Sequence, residues 1–194
     1  RGMLGYGGQV FNQDRSAQAV EVLNAVRGAD RQNHDAAYWT ALALYKLQRW
    51  GDLATVTQRV VELGPLNYNA FMLLHDANKM TADALKAQNN TAQETQRRQA
   101  ALQASTAGSA LPVQVEQVQL STNGTTTTVR GTVVGGAAAT GSPVRLEFIL
   151  STPAGDVGTG TVNIAAPAKE ANATFELPIQ VTSSPTGYRY RLVR

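Results

Sequence analysis

The sequence lacks the residues on which much protein chemistry depends. Its 194 residues include no cysteine and only two histidines, His34 and His75. The absence of cysteine excludes disulfide scaffolds, zinc ribbons and thiol nucleophiles. The two histidines lie far apart in the sequence, and each has only a neighbouring aspartate beside it, which is not the clustered spacing of a metal site. We therefore predict a protein that is not an enzyme, with no catalytic residue, metal or cofactor.

Long apolar runs and an excess of charge are missing as well. No stretch of about 18 apolar residues occurs, so no transmembrane segment is predicted in this chain. The 17 Lys and Arg residues barely exceed the 14 Asp and Glu residues, which predicts no nucleic-acid partner. The first residue is Arg1 rather than methionine, so a signal peptide or membrane anchor could precede it. An artificial chain end or a disordered tail is the alternative.

The composition changes once along the chain. Alanine, glutamine, leucine and arginine dominate up to residue 105, whereas threonine, valine and glycine dominate from Pro112 and apolar residues there alternate. Such a switch indicates a domain boundary. The predicted fold class is α+β in two domains. These are an all-α region over residues 1–104, a flexible linker over 105–111 and an all-β region over 112–194.

A spacing of 34 residues recurs in the first region. It pairs Ala19 with Leu53, Val22 with Val56 and Val26 with Val60. Helices are predicted over residues 2–12, 15–27, 35–47 and 51–63, and Asn67 is placed to cap the next one. That last helix is predicted to be long, from residue 68 to about 104. A break at Asn89–Asn90 is the alternative, because asparagine has poor helix propensity.

The second repeating unit, residues 34–67, carries a recognisable pattern. It has Ala41 at a small packing position, Leu44 one turn later, Trp50 after a short turn, and Gly64-Pro65 at the end. This pattern resembles a tetratricopeptide repeat, and the resemblance covers roughly residues 1–80. It implies helical hairpins that stack to complete a shared core.

Short strands with turn signals fill the second region. Asn123-Gly124 is a strong hairpin signal, and Val144, Leu146 and Phe148 share one face of a later strand. About six or seven strands over residues 112–194 give the count and spacing of a small sandwich. Their order resembles the immunoglobulin-like modules of bacterial envelope proteins.

The repeat resemblance also implies a binding surface. The first helix of each pair would line a concave face, whose candidate residues are Leu4, Phe11, Tyr38, Leu42, Tyr45, Lys46, Met72, Asp76 and Lys79. An apolar groove with aromatic anchors is typical of a protein-binding patch. In the alternative, the sandwich or a helix before Arg1 covers this groove.

The function predicted from these features is protein–protein interaction. We expect a scaffold or docking subunit, partnered by other protein subunits on the extracytoplasmic face of a membrane-associated complex, such as a respiratory or photosynthetic one. The expected location is the periplasm or cell surface, with anchoring by a segment upstream of Arg1 as one possibility. The alternative is a glycan-binding or adhesive envelope module that uses loops 135–142 and 183–187 with Tyr188.

Overall fold

A computed structural model describes residues 15–193, and within them the fold is α+β as predicted. Five helices come first: α1 (Ser16–Ala29), α2 (His34–Lys46), α3 (Trp50–Leu63), α4 (Tyr68–Ala87) and α5 (Thr91–Ser109). Six strands follow: β1 (Val113–Asn123), β2 (Thr126–Gly135), β3 (Pro143–Thr152), β4 (Gly155–Ala165), β5 (Asn172–Gln180) and β6 (Gly187–Val193). The helix predicted over residues 2–12 lies outside the described residues.

The first four described helices follow the 34-residue spacing. Helices α1 and α3 begin at residues 16 and 50, and helices α2 and α4 begin at residues 34 and 68. Asn33 and Asn67 cap α2 and α4 in the same way, since each side-chain oxygen accepts the backbone N–H three residues later, at 3.0 and 3.1 Å. The bounds predicted for α1, α2 and α3 agree with the structure to within two residues.

The single long helix predicted from residue 68 is wrong. The chain turns after α4, where Asn89 has a φ of 55°, and Asn90 then caps α5. Asparagine enters this left-handed region more easily than most residues, which explains the break. The two helices form an antiparallel hairpin, because a Cβ on Gly108, near the end of α5, would lie 2.9 Å from the Cβ of Phe71, near the start of α4.

The flexible linker predicted at residues 105–111 is also corrected. Residues 105–109 form the last turn of α5, and Leu111 is buried in the apolar core of the strand region. The buried positions of α5 are the small residues Ala101, Ala104 and Gly108, and the last of these lies within the predicted linker. Small residues at these positions favour close helix packing rather than disorder. The exact domain boundary stays a prediction.

The strands form two antiparallel sheets of three. One has the order β1-β2-β5 and the other the order β4-β3-β6. The predicted hairpin joins β1 to β2, with Asn123 opposite Thr126 and Gly124 at a φ of 59°. Val144, Leu146, Phe148 and Leu150 of β3 are buried, as their alternation predicted. Phe148 contacts the rings of Phe175 and Tyr190, which brings both sheets into one core.

This core continues into the helical region. Leu66 and Phe71 belong to the same buried cluster as the sandwich residues, and the Val115 N–H donates to the Leu66 carbonyl at 2.9 Å. Gly64 permits the close approach, since a Cβ there would lie 2.7 Å from His34 and 2.8 Å from Tyr190. The helices and the sandwich therefore meet in a packed junction.

No helix among residues 15–193 is long and apolar enough to cross a bilayer.

Candidate functional site

His34, the first residue of α2, lies at the centre of this junction. Its side chain is buried, and its ring faces those of Tyr38, Tyr188 and Tyr190 at centroid distances of 6.1, 5.3 and 6.0 Å. Tyr38 lies one turn further along α2, whereas Tyr188 and Tyr190 share the inner face of β6. One histidine thus packs against aromatic rings from both halves of the chain.

Hydrogen bonds fix this aromatic cluster. The Tyr188 hydroxyl donates to Asp35 Oδ1 at 2.8 Å, and the same hydroxyl lies 3.2 Å from His34 Nδ1. Asp35 Oδ1 is also 3.2 Å from His34 Nδ1, and Asn67 Nδ2 is 3.4 Å from His34 Nε2. Both ring nitrogens therefore have polar neighbours within the protein.

A second polar cluster joins the halves beside the first. Buried Asp30 accepts hydrogen bonds from the Thr186 hydroxyl at 3.1 Å and the Ser151 hydroxyl at 3.4 Å. Asn33 Nδ2 donates to the Thr186 carbonyl at 2.9 Å while its Oδ1 caps α2. Satisfied buried polar groups specify one geometry, since leaving any of them unpaired is costly. The relative placement of helices and sandwich is thus fixed by directional bonds as well as apolar packing.

An open cleft of about 390 Å³ lies between α2 and β1; we name it the junction cleft. It is lined by His34, Asp35, Tyr38, Trp39, Asn67, Asn69, Val115, Glu116, Gln117, Val118, Tyr188 and Tyr190. Its strand wall is irregular, because the register of β1 shifts between Glu116 and Gln119 and Gln117 has a φ of 52°. A bulge of this kind interrupts strand pairing and re-aims side chains. The cleft therefore combines an aromatic wall with a bulged strand.

The tyrosines of the cleft keep their protons. Burial raises the pKa of Tyr188 well above its ordinary value, and the adjacent Asp35 charge raises it further. Burial likewise raises the pKa of Tyr190. For Tyr38, burial raises the pKa, the Asn69 side chain offsets part of this rise, and the Glu116 charge adds to it. These side chains thus carry neutral hydroxyls rather than phenolates, and half-buried Tyr38 is the one that is partly exposed at the cleft.

An alkaline titration tests this arrangement. We expect Tyr38, Tyr188 and Tyr190 to ionise later than free tyrosine, so the folded protein titrates fewer than its six tyrosines near pH 11. A raised folded-state pKa favours the folded state fully below about pH 10, and this contribution is lost as the pH rises further. Ultraviolet absorbance of tyrosinate checks both statements against the urea-unfolded chain. Identical titration curves for the folded and unfolded protein would contradict them.

The structure separates the predicted groove residues into different surroundings. Tyr38 lines the junction cleft, and Leu42 is half-buried further along α2. Tyr45 is 40% exposed and meets the Trp50 ring edge-on at 5.5 Å. Met72 packs beside Gly108 and against the sandwich core. The sandwich thus adjoins one end of the predicted groove.

The other predicted groove residues are either polar or lie outside the described part of the chain. Asp76 Oδ1 lies 3.0 Å from His75 Nδ1. Lys46 and Lys79 are exposed at or near the ends of the face. Leu4 and Phe11 lie outside the described residues. Contact of all nine predicted groove residues with one partner stays a prediction.

Several cleft residues were absent from the sequence-based groove. Glu116 and Gln117 were not predicted, because they lie on β1 and line the cleft only once the strands pack against the helices. Trp39, beside Tyr38 on α2, was not predicted either. Tyr188 and Tyr190 alternate along β6 and therefore share a face, but alternation does not show what that face packs against. Contacts between residues so distant in sequence leave no local pattern.

Comparison with known proteins adds no identification. No protein-family model matches the chain, and no curated protein matches it.

Proposed function

We propose that this chain is a non-enzymatic interaction protein, built from tetratricopeptide-like hairpins and an immunoglobulin-like sandwich. It works outside the cytoplasm as a scaffold or docking subunit of a larger membrane-associated assembly; an accessory subunit of a respiratory or photosynthetic complex is one specific version. The observation that carries this proposal is the junction cleft, whose neutral aromatic wall continues along α2 to the exposed ring of Tyr45.

Both family assignments draw on spacing and topology. The 34-residue interval between helix starts supports the repeat assignment, as do the equivalent caps Asn33 and Asn67. The sandwich assignment is supported by strand order, because β2 pairs with β1 and β5 whereas β3 pairs with β4 and β6. The chain thus passes from one sheet to the other after β2, after β4 and again after β5. Such crossings are typical of Greek-key sandwiches.

The chemistry of the cleft favours a protein segment as the ligand. Tyr188 and Tyr190 are 3% exposed, so the contact area for a ligand comes from half-buried Tyr38 and from Tyr45. Tyrosine side chains have few rotatable bonds, so ordering them on binding costs little entropy. Asp35 and Glu116 place carboxylates at the same cleft. We therefore infer a short segment that presents an apolar side chain next to a lysine or arginine.

Paired surface substitutions test the proposal. Leu42→Ser combined with Tyr45→Ser should reduce co-purification of the partner after detergent extraction by about tenfold or more, as expected for loss of interface anchors. Leu102→Ser is the matched control, since Leu102 is 67% exposed on α5. Circular dichroism should show both variants folded. A wild-type protein that is recovered only as a monomer, or equal partner recovery by the double variant, would contradict the proposal.

The glycan-binding alternative loses its proposed platform. Tyr188 is 3% exposed and bonded to Asp35, so its ring has no free face for a sugar. Thr186 of the loop 183–187 contacts Asn33 and Asp30. In the other loop, the Ala137 N–H donates to the Leu111 carbonyl at 2.8 Å. Both loops instead contribute contacts within the protein.

A further inference from the structure

A second concave surface lies among α1, α3 and the connection from α1 to α2. Its volume is about 700 Å³, and we name it the arginine pocket. It is lined by Asn24, Arg27, Gly28, Arg31, Asn33, Ala37, Thr55 and Arg59. Three guanidinium groups at one open cavity are a concentration of positive charge in a chain whose net charge is only +3.

The three arginines differ in their partners. Arg59 donates to Glu62 Oε2 at 2.9 Å and to the Arg31 carbonyl at 3.2 Å, which holds the connecting loop against α3. Arg27 donates to Asn24 Oδ1 at 2.9 Å. Among residues 15–193, neither Arg27 nor Arg31 has a carboxylate within ion-pair distance. Two of the three positive charges thus lack an acidic partner in the described part of the chain.

The surroundings of Arg27 make its charge costly. Its partial burial lowers the pKa of the guanidinium, and repulsion from Arg59 lowers it further. The group stays charged at neutral pH nonetheless, because an arginine pKa is so high. The N-terminus of α2 also lies at the pocket wall, at Asn33 and Ala37, and its macrodipole adds positive potential. An anion in the pocket would relieve this repulsion and supply the missing acceptors.

We propose that the arginine pocket binds a phosphate- or sulfate-type oxyanion, either free or as the terminal group of a small organic molecule. The planar guanidinium fork matches two oxygens of such a group, so Arg27 and Arg31 supply the direct donors. Arg59 positions the loop and contributes charge. The cavity is larger than one phosphate, which leaves room for an organic substituent. This site is separate from the junction cleft and does not depend on the proposed function.

Ligand-dependent thermal stability tests the site. Inorganic phosphate, sulfate and glycerol phosphate should each be compared with chloride at matched ionic strength, since a ligand that binds the folded state raises the melting temperature. Arg27→Gln and Arg31→Gln should each weaken binding of the effective anion by about tenfold, the loss typical of one charge-assisted hydrogen bond. Arg130→Gln on β2 is the control, because it removes the same charge from an exposed pair with Glu176.

The results of this thermal-stability experiment distinguish a free oxyanion from an organic ester and both from no anion site. Without anion, Arg27→Gln should be no less stable than the wild type, because it removes repulsion. Stabilisation by inorganic phosphate or sulfate supports a free oxyanion as ligand, whereas stabilisation by glycerol phosphate alone supports an organic ester. Equal effects of all the anions and chloride would overturn the proposal. An anion response retained in both pocket variants would overturn it as well.

Discussion

Replacing Phe148 with alanine should lower the free energy of unfolding by about 3–5 kcal/mol, the usual cost of removing a buried aromatic side chain. Phe148 is fully buried, and its ring contacts Phe175, Tyr188 and Tyr190. Because Tyr188 and Tyr190 in turn pack on His34, the loss should reach the helical region.

Tryptophan fluorescence makes this coupling measurable. Both tryptophans, Trp39 and Trp50, lie in helices, whereas Phe148 lies in β3. Urea unfolding followed by fluorescence should therefore shift to lower urea in Phe148→Ala, together with the circular dichroism signal. Leu192→Ala on β6 is the control, since Leu192 is 39% exposed and its loss should cost less than about 0.5 kcal/mol. An unchanged fluorescence midpoint in Phe148→Ala would show that the helices unfold independently of the sandwich.

Asn33→Ala should lower the free energy of unfolding by about 2–4 kcal/mol, because one side chain supplies two bonds. Its Oδ1 caps α2 at the Ala36 N–H, and its Nδ2 donates to the Thr186 carbonyl of the sandwich. The side chain is almost fully buried, so its removal leaves both partners without a nearby replacement.

Asn90→Ala is the matched control for this substitution. Asn90 caps α5 with the same geometry, its oxygen accepting the Gln93 N–H at 3.3 Å in an exposed setting. Its loss should cost about 0.5–1 kcal/mol, the value of a cap alone. Chemical denaturation of both variants gives the comparison. Equal losses would contradict the second role assigned to Asn33.

Local signals in the sequence predicted much of the architecture. Alternation along β3 predicted its buried face, and the Asn123-Gly124 turn predicted the hairpin of β1 and β2, because both features act over a few residues. The change of composition near Pro112 predicted the passage from helix to strand. Asn67 was correctly placed as a cap for the same local reason.

Features that depend on distant contacts were predicted less well. The chain turns at Asn89 only if packing α5 against α4 lowers the free energy more than continuing α4 as one long helix would. Helix propensity alone does not decide this comparison. The stretch 105–109 has small residues that suit either a linker or a tight helix contact, and its packing beside Phe71 selects the helix. The junction cleft joins residues more than 150 positions apart, such as Asp35 and Tyr188.

Site-specific photo-crosslinking tests most directly whether the face of α2 binds a protein partner. A photoreactive phenylalanine analogue placed at Tyr45 in the full-length protein, inside the cells that produce it, should form a crosslink to one defined protein. The same analogue at Leu102 on α5 should not form that product. A shared product at both positions, or no protein crosslink at Tyr45, would contradict the assignment of this surface as the docking site.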